Sequence, residues 1–246
     1  MFGLFKKRKE PQPLLNYDGI GVDMHSHVLP GIDDGAQNPQ QSIELIRAMM
    51  EVGIKKIIAT PHVMNDYYRN TPETITNALA VLKAEMAKEG MDIPVQASAE
   101  YFFDEFFMDM VEKDNLLPIG KNHILFEFSF VSPPPVFIPT LQKLKDKGYR
   151  PILAHPERYP YYDLGQYKNL KDWGCMLQIN TISLTGYYGA ATKKTAEELV
   201  DNHLVDFISS DMHATRHAEA FKKSLNMPYV QRLLADDLLS NKALLA

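Results

Sequence analysis

The chain is poor in cysteine and tryptophan, since its 246 residues include one of each, Cys175 and Trp173. A single thiol excludes an internal disulfide framework and a zinc site built on several cysteines. No apolar run reaches the roughly 18–20 residues that a membrane-spanning helix needs, and the N-terminus lacks the apolar core of a signal peptide. Together these absences predict a cytoplasmic protein.

Positive charge is not in excess either. The 26 Lys and Arg residues stand against 31 Asp and Glu residues, which gives a formal net charge of −5. No global field therefore attracts nucleic acid, and we expect no nucleic-acid partner. The one basic run, Lys6-Lys7-Arg8-Lys9, lies in residues 1–16, where Pro11 and Pro13 break regular structure. We expect residues 1–16 to form a disordered or loosely attached leader, with weak contact to an anionic membrane surface as the alternative.

Two familiar signatures of phosphate chemistry are missing. The glycines match no nucleotide-binding fingerprint. Cys175 lies in an apolar strand pattern, and Thr181 stands six positions after it, where the Cys-x5-Arg loop of thiol phosphatases requires arginine. The sequence therefore argues against a nucleotide-binding loop and against a cysteine nucleophile.

From Tyr17 onward, short apolar segments alternate with helical patterns. Strands are predicted at seven segments, residues 19–25, 56–60, 93–99, 124–128, 151–154, 175–179 and 205–209. This alternation indicates βα units and a parallel sheet, so the fold class is α/β. The hydrophobic content of 45% is enough for a substantial core. Because no repeat or linker divides the pattern, residues 17–246 are predicted to form one domain.

The first of these strands leads into Asp23-Met24-His25-Ser26-His27. Alternate side chains of a strand share a face, so His25 and His27 point the same way. Two neutral imidazoles held side by side can bind a transition metal. For this pair alone, a polar turn is an equally good interpretation.

An Asp, Glu, His or Asn side chain lies at or near the carboxyl end of every predicted strand. In a parallel αβ barrel these ends open on one face, where the connecting loops build the active site. The candidates are His25, His27, His62, Glu100, Glu127, His155, Asn180, Asp211 and His213. Glu100 and Glu127 stand among apolar residues, where an unpaired carboxylate is costly to bury unless a cation is bound. The other three histidines, His123, His203 and His217, are expected at the surface.

Mixed imidazole and carboxylate ligands suit Zn, Mn, Fe or Co, and more than four ligands require more than one ion. Neighbouring divalent ions are a common apparatus for hydrolysing phosphate esters. Arg158 and Arg216 are the candidate phosphate clamps, because the guanidinium fork matches two oxygens at once. The alternative for either arginine is a surface salt bridge. One aspartate of Asp33-Asp34 is a further candidate ligand, with an Asx turn as its alternative.

These motifs resemble the PHP (polymerase and histidinol phosphatase) superfamily, and more closely its bacterial manganese-dependent protein-tyrosine phosphatases of the CpsB/YwqE type. The resemblance spans residues 21–213 in the family's order. It rests on Asp23-Met24-His25-Ser26-His27, Asp33-Asp34-Gly35, Thr60-Pro61-His62, Ala99-Glu100, Phe126-Glu127-Phe128-Ser129, Ala154-His155-Pro156-Glu157-Arg158, Gln178-Ile179-Asn180 and Ser209-Ser210-Asp211-Met212-His213.

The resemblance implies a distorted seven-stranded parallel (β/α)7 barrel, similar to a TIM barrel, that holds a cluster of three Mn²⁺ ions. Fe, Zn or Co are alternatives to Mn²⁺. The positions that match the family's metal ligands are His25, His27, Asp34, His62, Glu100, Glu127, His155, Asp211 and His213. Arg158 matches an arginine that contacts phosphate. Arg216 would be the second, although it lies closer to His213 than the family pattern has it.

The resemblance also implies a substrate and a partner, namely phosphotyrosine on the tail of a bacterial tyrosine autokinase that controls capsule or exopolysaccharide production. Three other functions fit the residues. One is a small-molecule phosphatase, such as a histidinol phosphatase, and another is a non-catalytic PHP-like binding module. The third is an amidohydrolase, which usually carries a ligand lysine that is missing near Glu127 and His155.

Overall fold

The structure is a computed structural model that describes residues 15–236 and 238–245. The predicted leader, residues 1–16, therefore lies outside the described residues except for its last two positions. The α/β class is confirmed. The described helices are α1 (Pro39–Glu51), α2 (Pro72–Lys88), α3 (Glu105–Lys113), α4 (Ile138–Asp146), α5 (Leu164–Asp172), α6 (Ala190–Asp201), α7 (Thr215–Ser224) and α8 (Pro228–Ala235). None of them is both long enough and apolar enough to cross a bilayer.

Two of the helices begin with a capping side chain followed by proline. The Asn38 side chain accepts a hydrogen bond from the Gln41 amide (3.0 Å), and Pro39 opens helix α1. Helix α2 begins in the same way with Thr71 and Pro72. Side chain and proline together satisfy or remove the free N–H groups of the first turn.

Every strand pair is parallel. The described strands are β1 (Val22–Asp23), β2 (Lys56–Ala59), β3 (His62–Val63), β4 (Val95–Ala97), β5 (Glu100–Phe102), β6 (His123–Glu127), β7 (Arg150–Ala154), β8 (Met176–Asn180) and β9 (Phe207–Ser209). They form a three-stranded sheet in the order β1-β2-β4 and a six-stranded sheet in the order β3-β5-β6-β7-β8-β9. The predicted closed barrel of seven strands is therefore not confirmed in the part of the chain that the structure describes.

The difference arises because one short strand, β3, follows the second predicted strand, and another, β5, follows the third. Pro61 separates β2 from β3, since proline has no N–H to donate to a ladder. The backbone groups at the break still find partners: Thr60 N donates to Ser26 O (2.8 Å), and Pro61 O accepts from Glu100 N (3.1 Å). The third predicted strand breaks at Ser98, whose amide donates to Ala59 O (2.8 Å). Seven predicted segments thus become nine strands.

The carboxyl ends of the first and last strands meet. Beyond β1 and β9, Asp211 N donates to His25 O (3.0 Å), and His27 N donates to Met212 O (2.8 Å). These two hydrogen bonds place the histidines that follow β1 beside the polar residues that follow β9. Because all strands run parallel, their other carboxyl ends open on the same side of the molecule.

Candidate metal centre

The structure brings all nine residues predicted as metal ligands together on this side of the molecule. His25 and His27 follow β1, His155 follows β7, and Asp211 and His213 follow β9. Within the strands, the ligands are the first residues of β3 and β5, His62 and Glu100, and the last residue of β6, Glu127. Asp34 lies in the loop between β1 and α1. Most of these side chains are buried, while that of Asp34 is half-exposed.

The nine residues fall into four overlapping groups. In each group the ligand atoms lie within 4.8 Å of one another. The groups are His27, Asp34, His62 and His213; His25, His27 and Glu100; His25, His155 and Asp211; and His62, Glu100 and Glu127. Four of the residues each belong to two groups, so the donors surround more than one point. This arrangement suits a cluster of ions better than a single ion.

Several donor atoms in this cluster have no hydrogen bond. Oε2 of Glu100, Oδ1 of Asp211 and Nδ1 of His62 are buried and have no hydrogen-bond partner among the described residues. Glu100 Oε2 nevertheless lies 3.2 Å from His25 Nε2 and 3.3 Å from His27 Nε2. Buried polar atoms are nearly always satisfied. Converging lone pairs without hydrogen bonds are the arrangement that a bound cation requires, so the residues present fit a metal cluster.

Neighbouring groups orient three of the imidazoles through their Nδ1 atoms. Nδ1 of His25 lies 2.8 Å from Gln178 Oε1, and Nδ1 of His27 lies 2.8 Å from Asp33 Oδ2. Nδ1 of His213 lies 2.9 Å from the backbone oxygen of Asp211. These oxygens accept a hydrogen bond from Nδ1–H and leave the lone pair of each Nε2 atom free for a metal, a common arrangement for metal-binding histidine.

The backbone is strained at two of the nine positions. His155 has φ 34° and Asp211 has φ 53°, both in the left-handed region. Residues other than glycine pay roughly 1–3 kcal/mol for such a conformation. His155 directly follows β7, and Asp211 lies two residues beyond β9. At both positions the left-handed backbone turns the side chain into the cluster.

The charges of the cluster keep its carboxylates ionised. Burial raises the pKa of Glu100, but the nearby charges of His25 and His62 outweigh burial and hold that pKa well below its usual value. Asp211 follows the same pattern, because His25 and His213 lower its pKa more than burial raises it. Conversely, burial and His27 lower the pKa of His62, but Glu100 and Glu127 raise it to about 9. Without a cation, protons on His25, His27 and His62, whose pKa values are all raised, offset the charge of these carboxylates.

The cluster forms the floor of a cavity of about 280 Å³. Besides seven of the nine cluster residues, it is lined by Met64, Tyr67, Tyr68, Phe130, Arg158 and Tyr188. The Arg158 side chain is 24% exposed, and its Nη1 donates to Asp211 Oδ2 (3.3 Å). The positively charged Arg158 side chain and a mostly aromatic wall therefore lie directly above the cluster.

The structure separates the two candidate arginines. Arg216 lies in the first turn of α7 and is exposed, and it is not among the residues that line the cavity. Its role as a second phosphate clamp stays a prediction. Arg158, by contrast, reaches the cavity because the tight turn at Pro156–Arg158 folds back directly after β7.

The expectation that His217 lies at the surface is wrong. Its side chain is buried, and its Nδ1 accepts a hydrogen bond from the amide of His213 (3.2 Å). Asn180 also supports the cluster, because its Nδ2 donates to Asp211 Oδ2 (2.7 Å). The position of His217 in the first turn of α7, shortly after Asp211 and His213, is the available signal in the sequence.

Comparison with known proteins agrees with this site. The family model for capsular polysaccharide synthesis proteins CpsB/CapC matches residues 21–239. The tyrosine-protein phosphatase YwqE of Bacillus subtilis is 34% identical over 195 residues, which cover 78% of this chain and 77% of YwqE. The tyrosine-protein phosphatase CpsB of Streptococcus pneumoniae is 27% identical over 201 residues, 78% of this chain and 82% of CpsB.

A solved structure is similar over nearly the same range. It comes from work on YwqE of Bacillus subtilis and CpsB of Streptococcus pneumoniae, described as unique metal-dependent tyrosine phosphatases. It matches with a TM-score of 0.80 and 31% identity, and it covers 88% of this chain and 89% of its own. The parallel α/β architecture is therefore shared with these proteins.

Proposed function

Because the chain belongs to the CpsB/CapC family of capsular polysaccharide synthesis proteins, we propose that it is a metal-dependent phosphatase that hydrolyses phosphotyrosine in proteins. The observation that carries this proposal is the position of Arg158 above a cluster of unsatisfied nitrogen and oxygen donors. The names of the relatives YwqE and CpsB support the same activity.

The ligands of this proposal are the nine residues of the cluster, His25, His27, Asp34, His62, Glu100, Glu127, His155, Asp211 and His213. They hold three Mn²⁺ ions, with Fe, Zn or Co as alternatives, because imidazole and carboxylate donors accept all of these metals. When bound, such ions lower the pKa of a water molecule and neutralise phosphoryl oxygens. Glu100 belongs to two of the four donor groups, which supports a bridging role for its carboxylate.

Arg158 binds the phosphoryl group of the substrate in this proposal. Its guanidinium presents several N–H donors in one plane, which matches two phosphoryl oxygens at once. Asp211 holds one edge of the fork through Nη1, and the other N–H groups have no acceptor among the described residues. Arg216 remains the candidate for a second contact.

A phenol suits this cavity as the leaving group. The pKa of a tyrosine hydroxyl is about 10, so the departing oxygen needs little help from a general acid. In keeping with this, the wall of the cavity outside the nine cluster residues holds no carboxylate and no imidazole in the described part of the chain. Tyr67 and Tyr68 provide an aromatic wall for the phenyl ring.

The proposed protein substrate is the phosphotyrosine tail of a bacterial tyrosine kinase that controls capsule or exopolysaccharide production. Membership of a capsular polysaccharide synthesis family supports this partner. The cytoplasmic location and the membrane contact of the basic leader stay predictions.

Steady-state hydrolysis by the Mn²⁺-loaded protein tests the proposed function. A phosphotyrosine peptide, the matching phosphoserine peptide and histidinol phosphate are compared by kcat/KM. We expect a clear preference for the phosphotyrosine peptide. A preference for histidinol phosphate would assign the chain to the small-molecule phosphatases, and no turnover of any substrate would leave a binding module.

A further inference from the structure

The guanidinium of Arg158 lies over two aromatic rings. Its central carbon is 4.3 Å from the centroid of the Phe130 ring and 4.3 Å from the centroid of the Tyr188 ring. At this distance the face of each ring attracts the cation. A guanidinium stacked on a ring keeps its N–H donors free, because they project from the edge of the plane.

Hydrogen bonds alone do not fix the orientation of this fork. Among the described residues, Arg158 has one hydrogen bond, from Nη1 to Asp211 Oδ2, and its length of 3.3 Å is at the weak end of the usual range. A long side chain with one weak hydrogen bond retains much of its rotamer freedom. The two ring contacts therefore supply most of the restraint on the plane of the guanidinium.

The two rings are brought to Arg158 by different loops. Phe130 follows β6, and Tyr188 lies between β8 and α6. The Phe130 ring also stacks on Tyr159, with centroids 5.8 Å apart, and the neighbouring backbone oxygen of Ser129 accepts a hydrogen bond from Tyr161 Oη (2.6 Å). Tyr188 packs edge-on against Tyr187 at 5.1 Å. Each ring thus has support of its own.

We propose that Phe130 and Tyr188 are positioning residues, which hold the Arg158 fork so that its free N–H donors face a phosphoryl group above the metal cluster. The inference rests on the proposed phosphatase function. It gives two residues that are not metal ligands a role in phosphate binding, which they perform by orienting Arg158. The competing possibility is that the rings contact the phenyl group of the substrate directly.

The first test removes each ring from the Mn²⁺-loaded full-length protein. Phe130 is 42% exposed in a loop, so Phe130→Leu removes a ring at little cost to the fold. For Phe130→Leu and for Tyr188→Leu we expect kcat/KM on a phosphotyrosine peptide to fall by about 5- to 30-fold. The inhibition constant of inorganic phosphate rises in the same range. Bound manganese stays at the wild-type amount, and Tyr188→Phe, which keeps the ring, restores most of the kcat/KM that Tyr188→Leu loses.

A double-mutant cycle then separates the two routes of action. If the rings act through Arg158, Phe130→Leu causes no further loss in an Arg158→Ala background. Tyr67→Leu is the matched control, because Tyr67 lines the same cavity without contacting Arg158. Its effect is expected to be the same in both backgrounds.

The outcomes are distinct. Full additivity of Phe130→Leu with Arg158→Ala, or unchanged kinetics in both leucine variants of an active protein, would overturn the positioning role. A wild-type protein that binds manganese but neither hydrolyses the peptide nor binds inorganic phosphate would overturn the proposed function itself.

Discussion

Oε2 of Glu100 lies 3.1 Å from Nδ1 of His62, and neither atom has a hydrogen-bond partner among the described residues. The two atoms are close but not oriented for a hydrogen bond, and both are buried. A cation that both atoms coordinate satisfies them together, whereas protons on the imidazole satisfy them only in part. This pair therefore shows most directly why the cluster suits a bound metal ion.

Replacing Glu100 by glutamine is expected to remove both metal and activity. The amide keeps the shape of the side chain but loses the charge that two of the donor groups share. We expect kcat/KM to fall by about 100-fold or more and the bound metal to fall below the wild-type amount, as measured by elemental analysis. Glu105→Gln, on the exposed first turn of α3, is the control and keeps both.

Gln178→Met tests whether a hydrogen bond to a metal-binding histidine supports metal binding. The Gln178 side chain orients His25 through Nδ1, and methionine has a similar volume without the oxygen acceptor. We expect the affinity for Mn²⁺ to fall by about 10- to 100-fold, measured by titration against a competing chelator. The exposed Gln142→Met on α4 serves as control. An unchanged affinity in Gln178→Met would show that the hydrogen bond does not support the site.

Arg158→Ala separates binding of metal from catalysis. Arg158 is not a ligand in this account, so the amount of bound manganese stays at the wild-type value. The loss of a charged donor at the phosphoryl group lowers kcat/KM by about 10²- to 10³-fold. Arg158→Lys restores only part of this loss, because lysine cannot bind two oxygens in one plane. Normal turnover by Arg158→Ala would refute the clamp.

The metal-free protein is expected to lose stability as the pH rises from about 6.5 to about 9. Glu100 and Glu127 overcome burial and His27 to raise the pKa of His62 to about 9 in the folded chain, against about 6.5 when unfolded. A raised pKa stabilises the fold fully below the unfolded value, and this stabilisation disappears as the pH passes the folded value. The loss is on the order of 3 kcal/mol.

Thermal unfolding in a chelator across this pH range measures the effect. The melting temperature falls with pH in the wild type, and the slope is smaller in His62→Gln. With Mn²⁺ bound the dependence reverses, because the metal must displace the same protons and binds more tightly at higher pH. A flat profile in the chelator would contradict the charge balance of the metal-free cluster.

The convergence of the cluster is largely predictable from the sequence. Parallel strands send their carboxyl ends to one side, so polar residues after each apolar segment must lie together, as His25, Glu100 and Asp211 do. The caps of α1 and α2 are local and therefore predictable as well. The short strand β3 after Pro61 is harder to predict, because its formation depends on which amides the neighbouring strand can still pair.

The remaining features depend on tertiary packing. Burial of His217 follows from the way α7 lies against the cluster, and the exposure of Arg216 follows from the same helix. The pattern also fails to predict α5, because Tyr167 and Leu170 are its only buried side chains. The contacts of Arg158 with Phe130 and Tyr188 join three separate loops, and no spacing along the chain indicates them.

The central claim is that the donors gathered around Glu100 hold several cations at once. The most direct test is the number of manganese ions per chain, measured by elemental analysis on protein loaded with Mn²⁺ and then desalted. We predict about three ions per chain, the number that the resemblance to the CpsB/YwqE type implies, held by the four overlapping donor groups. A value of one ion per chain, or none, would contradict it.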